Sequence, residues 1–208
     1  MTTKKEASYV ERAREARAAW DAGNFEGARQ IYEDLITRDP ATRLYNKVMF
    51  YDELSSAITL ARKQSEPLGV VVLDIDNFKR INDARGHPFG DDVIQYVANI
   101  LRTAPNPIRT TDIAGRLGGE EFGLIAPMTD EQGIAYLGHK IVEAVNKNPL
   151  PSALNGLESL SVSAGATVLR PEDSAETFLK RADQGLYVAK ISGKNLCYVV
   201  KERETVNV

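Results

Sequence analysis

One short stretch constrains the fold more than any other: Leu68-Gly69-Val70-Val71-Val72-Leu73-Asp74-Ile75. It is too short and too β-branched for a helix, and an unbroken apolar run of this length suits a buried strand. Helical patterns flank it. Residues 47–64 place Phe50, Leu54, Ile58 and Ala61 on one face and stop ahead of Pro67. Residues 89–103 return to helical spacing through Val93, Ile94, Val97, Ile100 and Leu101. Two strands at about 111–117 and 121–127 flank Gly118-Gly119, a hairpin signal. Thr129 with Gln132 predicts a capping box before a helix carrying Ile134, Leu137, Ile141 and Val145. Asp173 with Glu176 repeats that pattern before Phe178, Leu179, Ala182, Leu186 and Ala189. Strands at 159–168 and near 196–200 complete the order β-α-β-β-α-β. That order predicts an α+β fold, a ferredoxin-like (split βαβ) sandwich with extra helices.

Residues 1–38 are set apart as an N-terminal helical segment, and 39–208 as the main domain. Residues 8–38 predict two helices broken at Ala22-Gly23-Asn24. Gly23, Phe25, Ala28, Tyr32, Leu35 and Pro40 follow the second half of a tetratricopeptide repeat. The first half does not fit, since Arg12 and Glu15 stand where large apolar residues are wanted. A lone repeat cannot bury its own face, so a hairpin packed on the main domain or on a second subunit is the simpler expectation. Either way the segment is a candidate for dimerisation or partner binding.

The balance of charge, −3 from 26 Lys+Arg against 29 Asp+Glu, argues against a nucleic-acid polymer held by bulk electrostatics. The longest aliphatic run, Val70 to Leu73, is far short of the roughly 20 residues of a membrane span. The N-terminal residues carry no apolar core of a signal peptide, and Cys197 is the only cysteine, so no internal disulfide is available. A soluble cytoplasmic protein is the expectation.

Three features carry chemistry. Asp74 and Asp76 end the buried strand on one face, and a carboxylate there wants a cation, a cluster of donors or water. Hard oxygens of this kind suit Mg²⁺, above all where phosphates complete its shell. The plainer reading makes Asp76 the cap of a helix starting near Asn77. An EF-hand does not fit, with Phe78 and Lys79 where a ligand and the turn glycine belong. Next, Gly118-Gly119-Glu120-Glu121 sets two carboxylates beside a turn that a ligand can approach closely. Last, Lys79, Lys190 and Lys194 are either solvated lysines or phosphate ligands. No Walker motif explains them.

These features stand in one order. Asp39-Pro40-Ala41-Thr42-Arg43-Leu44-Tyr45-Asn46 is followed by Leu73-Asp74-Ile75-Asp76-Asn77-Phe78-Lys79-Arg80-Ile81-Asn82-Asp83. Gly86-His87-Pro88-Phe89-Gly90-Asp91, Arg116-Leu117-Gly118-Gly119-Glu120-Glu121-Phe122 and Ala182-Asp183-Gln184-Gly185-Leu186-Tyr187-Val188-Ala189-Lys190 come after. Together, over about residues 39–201, they resemble a GGDEF domain in its GGEEF variant. That family has a nucleotidyl-cyclase-type sandwich fold and consists of diguanylate cyclases, which condense two GTP into cyclic di-GMP and release two pyrophosphates. The resemblance implies that Asp74, the Ile75 carbonyl and Glu120 hold Mg²⁺ (Mn²⁺ as the alternative), with Glu121 contributing. It implies Glu120 as general base toward the attacking 3′-hydroxyl and Lys79 as the stabiliser of phosphate charge. Asn82 and Asp91 would read guanine, Gly118 and Gly119 would leave room for the nucleotide, and Lys190 and Lys194 would hold the β- and γ-phosphates. Lys194 stands where the family often has Arg, which keeps the charge and loses the fork.

Arg109-Thr110-Thr111-Asp112 resembles the family's RxxD product-inhibition site, with Lys140 as a further candidate. The resemblance also implies a homodimer with one GTP per subunit. A non-catalytic receptor for cyclic di-GMP or GTP is the alternative of a different class, and intact Asp74, Lys79 and Glu120 argue against it. A two-metal phosphodiesterase lacks the histidines such sites often use, for the chain has only two.

Overall fold

The apolar run is the middle strand of the sheet. In the computed structural model, which describes residues 4–102 and 108–201, with side chains from Tyr9 onward, β1 (Leu68–Ile75) is buried along its whole length. It pairs antiparallel with β3 (Glu121–Pro127) on one side and with β4 (Val162–Val168) on the other. The edges are β2 (Ile113–Gly118), joined to β3 by the expected hairpin, and β5 (Cys197–Val200), which runs parallel to β4. The order β2-β3-β1-β4-β5 is the split βαβ arrangement with one added edge strand.

Helices cover both faces. Val71, Leu73 and Ile75 pack under α5 (His87–Arg102) and α6 (Glu131–Lys147). Leu68, Val70 and Val72 pack under α3 (Lys47–Gln64) and α7 (Ala175–Ile191). Because side chains alternate along a strand, the even positions of β1 face α7, and Asp74 is the next even position. The approach of α7 to β4 is close. A Cβ at Gly165 would overlap the Ala182 carbonyl oxygen and the Leu186 amide nitrogen, and one at Gly185 would lie 3.1 Å from the Gly165 Cα. Cys197 packs inside, where burial pushes its thiol up to about 12.

Several local expectations shift. The helix expected over 89–103 begins at His87, behind a separate α4 (Phe78–Arg85) that ends at Gly86 with φ +84; position 103 lies outside the described residues. The strands expected at 111–117 and 159–168 begin at Ile113 and Val162. The cap of α6 is Asp130, whose side chain accepts from the Gly133 amide. Thr129 is engaged elsewhere, its hydroxyl donating to the Pro127 carbonyl and accepting from Arg109. The capping box of α7 is Ser174 with Thr177, because Asp173 is taken by the Arg170 amide and by Arg181.

The N-terminal segment is a hairpin of α1 (Lys4–Asp21) and α2 (Phe25–Thr37), turning at Gly23 with φ +81. Ala16 and Ala28 are buried, and Trp20 meets Phe25 edge-on at 5.0 Å. Tyr9, Trp20, Phe25 and Ile36 remain exposed. The end of α2 reaches the main domain through the Thr37 carbonyl, which accepts from the Asn46 amide at 2.9 Å, and through Asp34, which pairs with Arg43. No helix among the described residues is long and apolar enough to cross a membrane.

Candidate active site

The strand that is most buried delivers its one acidic residue to the α7 side of the sheet. Asp74 Oδ1 accepts from Lys190 Nζ at 2.9 Å, the lysine coming from the last turn of α7. Burial pushes the Asp74 carboxyl above its ordinary value; Lys190 pulls it down, and Glu120 and Glu121 push it up again. Two like charges are therefore close enough to be felt. Across the ladder Asp74 stands opposite Glu121, and the Ile75 amide donates to the Glu120 carbonyl at 3.4 Å. The carboxylates expected to act together thus gather at one strand end.

The turn that carries Glu120 is held from behind. Arg116, only 11 % exposed, donates to the Gly119 carbonyl at 2.7 Å and reaches Asp39 at 3.1 Å. Asp39 also accepts from the amides of Ala41 and Thr42. The backbone leaving the N-terminal hairpin is so tied directly to the Gly-Gly-Glu-Glu turn. Sequence reasoning quoted Arg116 and Asp39 as letters of a motif and missed this clamp, for which the one available signal was an unpaired Arg next to the glycines. Packing explains Gly119 only through its φ of +39 and does not explain Gly118 at all. A Cβ at 119 meets nothing within 4 Å, and one at 118 meets only Glu121, at 4.0 Å. The absent side chains leave open space on the outer side of the turn.

Asp76 does other work than expected. It neither caps a helix nor lines an open site, but accepts from Ser161 Oγ and Ser163 Oγ, each at 2.7 Å, and from the Asn195 amide at 3.0 Å. Asn77 occupies the cap position of α4 with φ +57 and makes no side-chain cap bond. These bonds join the end of β1 to the start of β4 and to the turn after α7. In that turn Lys194 lies beyond the helix with φ +67, and its Nζ donates to Asn77 Oδ1 at 2.7 Å. Lys79 projects from the first turn of α4 and is exposed. Asn82 and Asp91 lie on α4 and α5, which meet at Gly90. Asn82 Oδ1 is buried against Gly90 without a hydrogen-bond partner.

Arg109 and Asp112 form a closed turn. The Asp112 side chain is fully buried, with its oxygens on the Arg109 amide and guanidinium, while Arg109 also donates to Thr129 at 2.6 Å. Arg109 borders a cleft of 310 Å³ shared with Tyr136 and Gly133. Lys140 lies one turn past Tyr136, its Nζ on Glu143 at 3.0 Å, and is not brought into contact with Arg109 or Asp112.

Among the described residues no three His, Cys, Asp or Glu side chains stand ready as a metal cage. The donor set nevertheless suits a hard divalent cation: Asp74, the Ile75 backbone and Glu120 are oxygen donors at one strand end, where burial and then the charges of Glu120 and Glu121 disfavour the bare Asp74 carboxylate.

The sequence family model described as diguanylate cyclase, GGDEF domain, matches residues 36–196. The chain belongs to the GGDEF-domain family. It is 34 % identical over 188 residues to the probable diguanylate cyclase DgcT of Escherichia coli, covering 86 % of this chain and 38 % of that protein. It is 38 % identical over 165 residues to the response regulator PleD of Caulobacter vibrioides, covering 78 % of this chain and 36 % of that one. The chain thus spans little more than a third of the length of these relatives. Among solved structures, the coiled coil and GGDEF domain of DgcB from Caulobacter crescentus, in complex with c-di-GMP, superimposes with a TM-score of 0.76 at 33 % identity. That match covers 90 % of this chain and all of the other. An active GGEEF domain from Vibrio cholerae gives 0.67 at 29 % identity over 76 % of this chain and 99 % of that one. The GGDEF family accounts for the main domain; the hairpin up to residue 35 lies outside the matched span of the family model.

Proposed function

We propose that this chain is an active diguanylate cyclase of the cytoplasm, condensing two GTP into cyclic di-GMP with release of two pyrophosphates. The observation that carries the reading is the convergence of Asp74, Glu120 and Glu121 at one strand end, with Lys190 on Asp74 and Lys194 on the adjoining Asn77; Lys79 projects from the first turn of α4. In this reading Asn82 and Asp91 read the guanine edge, which offers donors that adenine does not. Gly118 and Gly119 give the nucleotide its berth. Lys190 leaves Asp74 for the β- and γ-phosphates as Lys194 leaves Asn77. Glu120 takes the proton of the 3′-hydroxyl, whose oxygen forms a bond to the α-phosphorus of the second GTP while the bond to pyrophosphate breaks. Asp74, the Ile75 carbonyl and Glu120, with Glu121 alongside, would hold Mg²⁺ (or Mn²⁺), which would supply positive charge to neutralise the phosphates.

Each domain offers one guanine site and the product contains two guanines, so the reaction needs a homodimer with its two sites facing. Arg109, oriented by Asp112, is the proposed site of product inhibition, with Lys140, one turn past the cleft-lining Tyr136, as a further candidate. The decisive experiment incubates the protein with GTP and Mg²⁺ and identifies the product by mass spectrometry. Cyclic di-GMP is expected. Its absence at protein concentrations high enough to dimerise rejects the enzyme in favour of a receptor.

Residues 1–38 are proposed to promote that pairing. Deleting them is expected to lower specific activity at low protein concentration while GTP binding persists. Equal specific activities of the full and shortened chains across a dilution series would remove the segment from dimerisation.

A further inference from the structure

Where the hairpin meets the main domain there is a second concentration of positive charge, away from the carboxylates of the candidate active site. A cleft of 530 Å³ is lined by Arg38, Arg43, Arg102 and Arg109 around Leu44 and Tyr45. Asp112, the one carboxylate lining it among the described residues, is buried and spent on Arg109. Asp34, beside the cleft, is shared between Arg43 and Arg12, the latter at 2.6 Å. Four guanidinium groups thus line a cleft whose one lining carboxylate is spent, and the neighbouring Asp34 is shared with a fifth, Arg12.

Arg43 is held there against its backbone preference. Its φ of +62 lies in the left-handed region that a non-glycine residue seldom adopts, and its side chain is tied to Asp34. Burial, and then the charges of Arg12 and Arg102, pull its pKa down. The Arg38 guanidinium carbon sits over the Tyr45 ring, 3.7 Å from its centre. Arg102 ends α5 with one donor on Asn99.

We propose that this cleft binds a phosphate-bearing ligand on Arg38, Arg43 and Arg102. Guanidinium forks match phosphate oxygens in pairs, and an anion here offsets repulsion that Asp34 and Asp112 leave unbalanced. The inference goes beyond the catalytic reading and does not depend on turnover. It has a structural consequence. Asp34 belongs to α2 and Arg43 to the loop leading into α3, so the ligand competes with Asp34 for Arg43 and loosens the ion pair between hairpin and main domain. The same loop holds Asp39, which Arg116 links to the turn bearing Glu120.

Two sources share this chemistry, inorganic pyrophosphate and a cyclic dinucleotide, and each is tested separately by equilibrium dialysis against the full chain. Binding of one of them is expected, weakening with ionic strength. Arg102→Gln, at an exposed helix end, should weaken it about tenfold, the scale of one charged hydrogen-bonded contact. Asp34→Asn should tighten it severalfold by removing the competing carboxylate, a direction that mere structural damage would not produce. Affinity for GTP should be unchanged in both variants. If neither probe binds, or Arg102→Gln has no effect, or Asp34→Asn weakens binding, the proposal fails. If Lys140→Ala abolishes binding while Arg102→Gln does not, the ligand sits in the cleft on the far side of Arg109 and the proposal fails equally. Failure to make cyclic di-GMP from GTP would reject the catalytic reading and leave this binding result standing.

Discussion

Glu120→Gln is expected to reduce cyclic di-GMP formation at least about 100-fold, the lower end of what a positioned general base contributes. The change keeps shape and removes charge. Glu120 sits half-buried in the turn after Gly119, its backbone carbonyl accepting from the Ile75 amide, and no side-chain hydrogen bond holds it. The fold therefore has nothing to lose, and the melting temperature should move by less than a degree or two, as for about 0.5 kcal/mol on a domain of this size. A second effect follows from its neighbours. Glu120 and Glu121 both push the Asp74 carboxyl up, so removing one charge lets Asp74 hold its proton less tightly. The measurement is initial product formation at saturating GTP, paired with thermal unfolding. Activity within tenfold of the unaltered chain would show that Glu120 is neither base nor ligand.

Gly165→Ala is expected to be the most damaging small substitution in the sheet. The new methyl would overlap backbone atoms of Ala182 and Leu186, which cannot swing aside as a flexible side chain can. Helix α7 must recede from β4, at a cost of about 3 kcal/mol by analogy with overpacked cores. For a domain of this size that corresponds to about 6–12 °C of melting temperature. The damage should reach function, because α7 carries Lys190 to Asp74. The expected signature is a lower melting temperature together with weaker GTP binding. Alanine at 165 with unchanged unfolding would mean that the helix does not pack as closely as described. Gly118→Ala is the internal contrast, since its Cβ meets only the far end of Glu121 and unfolding should barely change.

Much of this architecture was legible along the chain. The run at 68–75 carries its strand character in composition and length alone, and β-branching with full burial is a local property. The same holds for the hairpin at Gly118-Gly119 and for the apolar faces of α3, α6 and α7. Helix boundaries were less legible. Thr129 and Asp130 are both good caps by type, and Asp130 prevails because Arg109 and the Pro127 carbonyl occupy the Thr129 hydroxyl. That competition is invisible without the strand beside it.

The site divides in the same way. The residue types and their order, Asp74 at a strand end, a Gly-Gly-Glu-Glu turn and lysines late in the chain, are written in the sequence and suffice to place the chain in its family. Which groups touch is decided only by the strand order β2-β3-β1-β4-β5. It puts Glu121 across from Asp74 and sets Lys190 of α7 on the even face of β1. The tertiary fold also turns Asp76 from a candidate ligand into a hydrogen-bonded tie, and Arg116 into a clamp between Asp39 and the turn bearing Glu120. Periodicity reports which way a side chain leaves its own element. What it meets there is fixed by non-local pairing, and hydrogen bonds and ion pairs act over only a few ångströms.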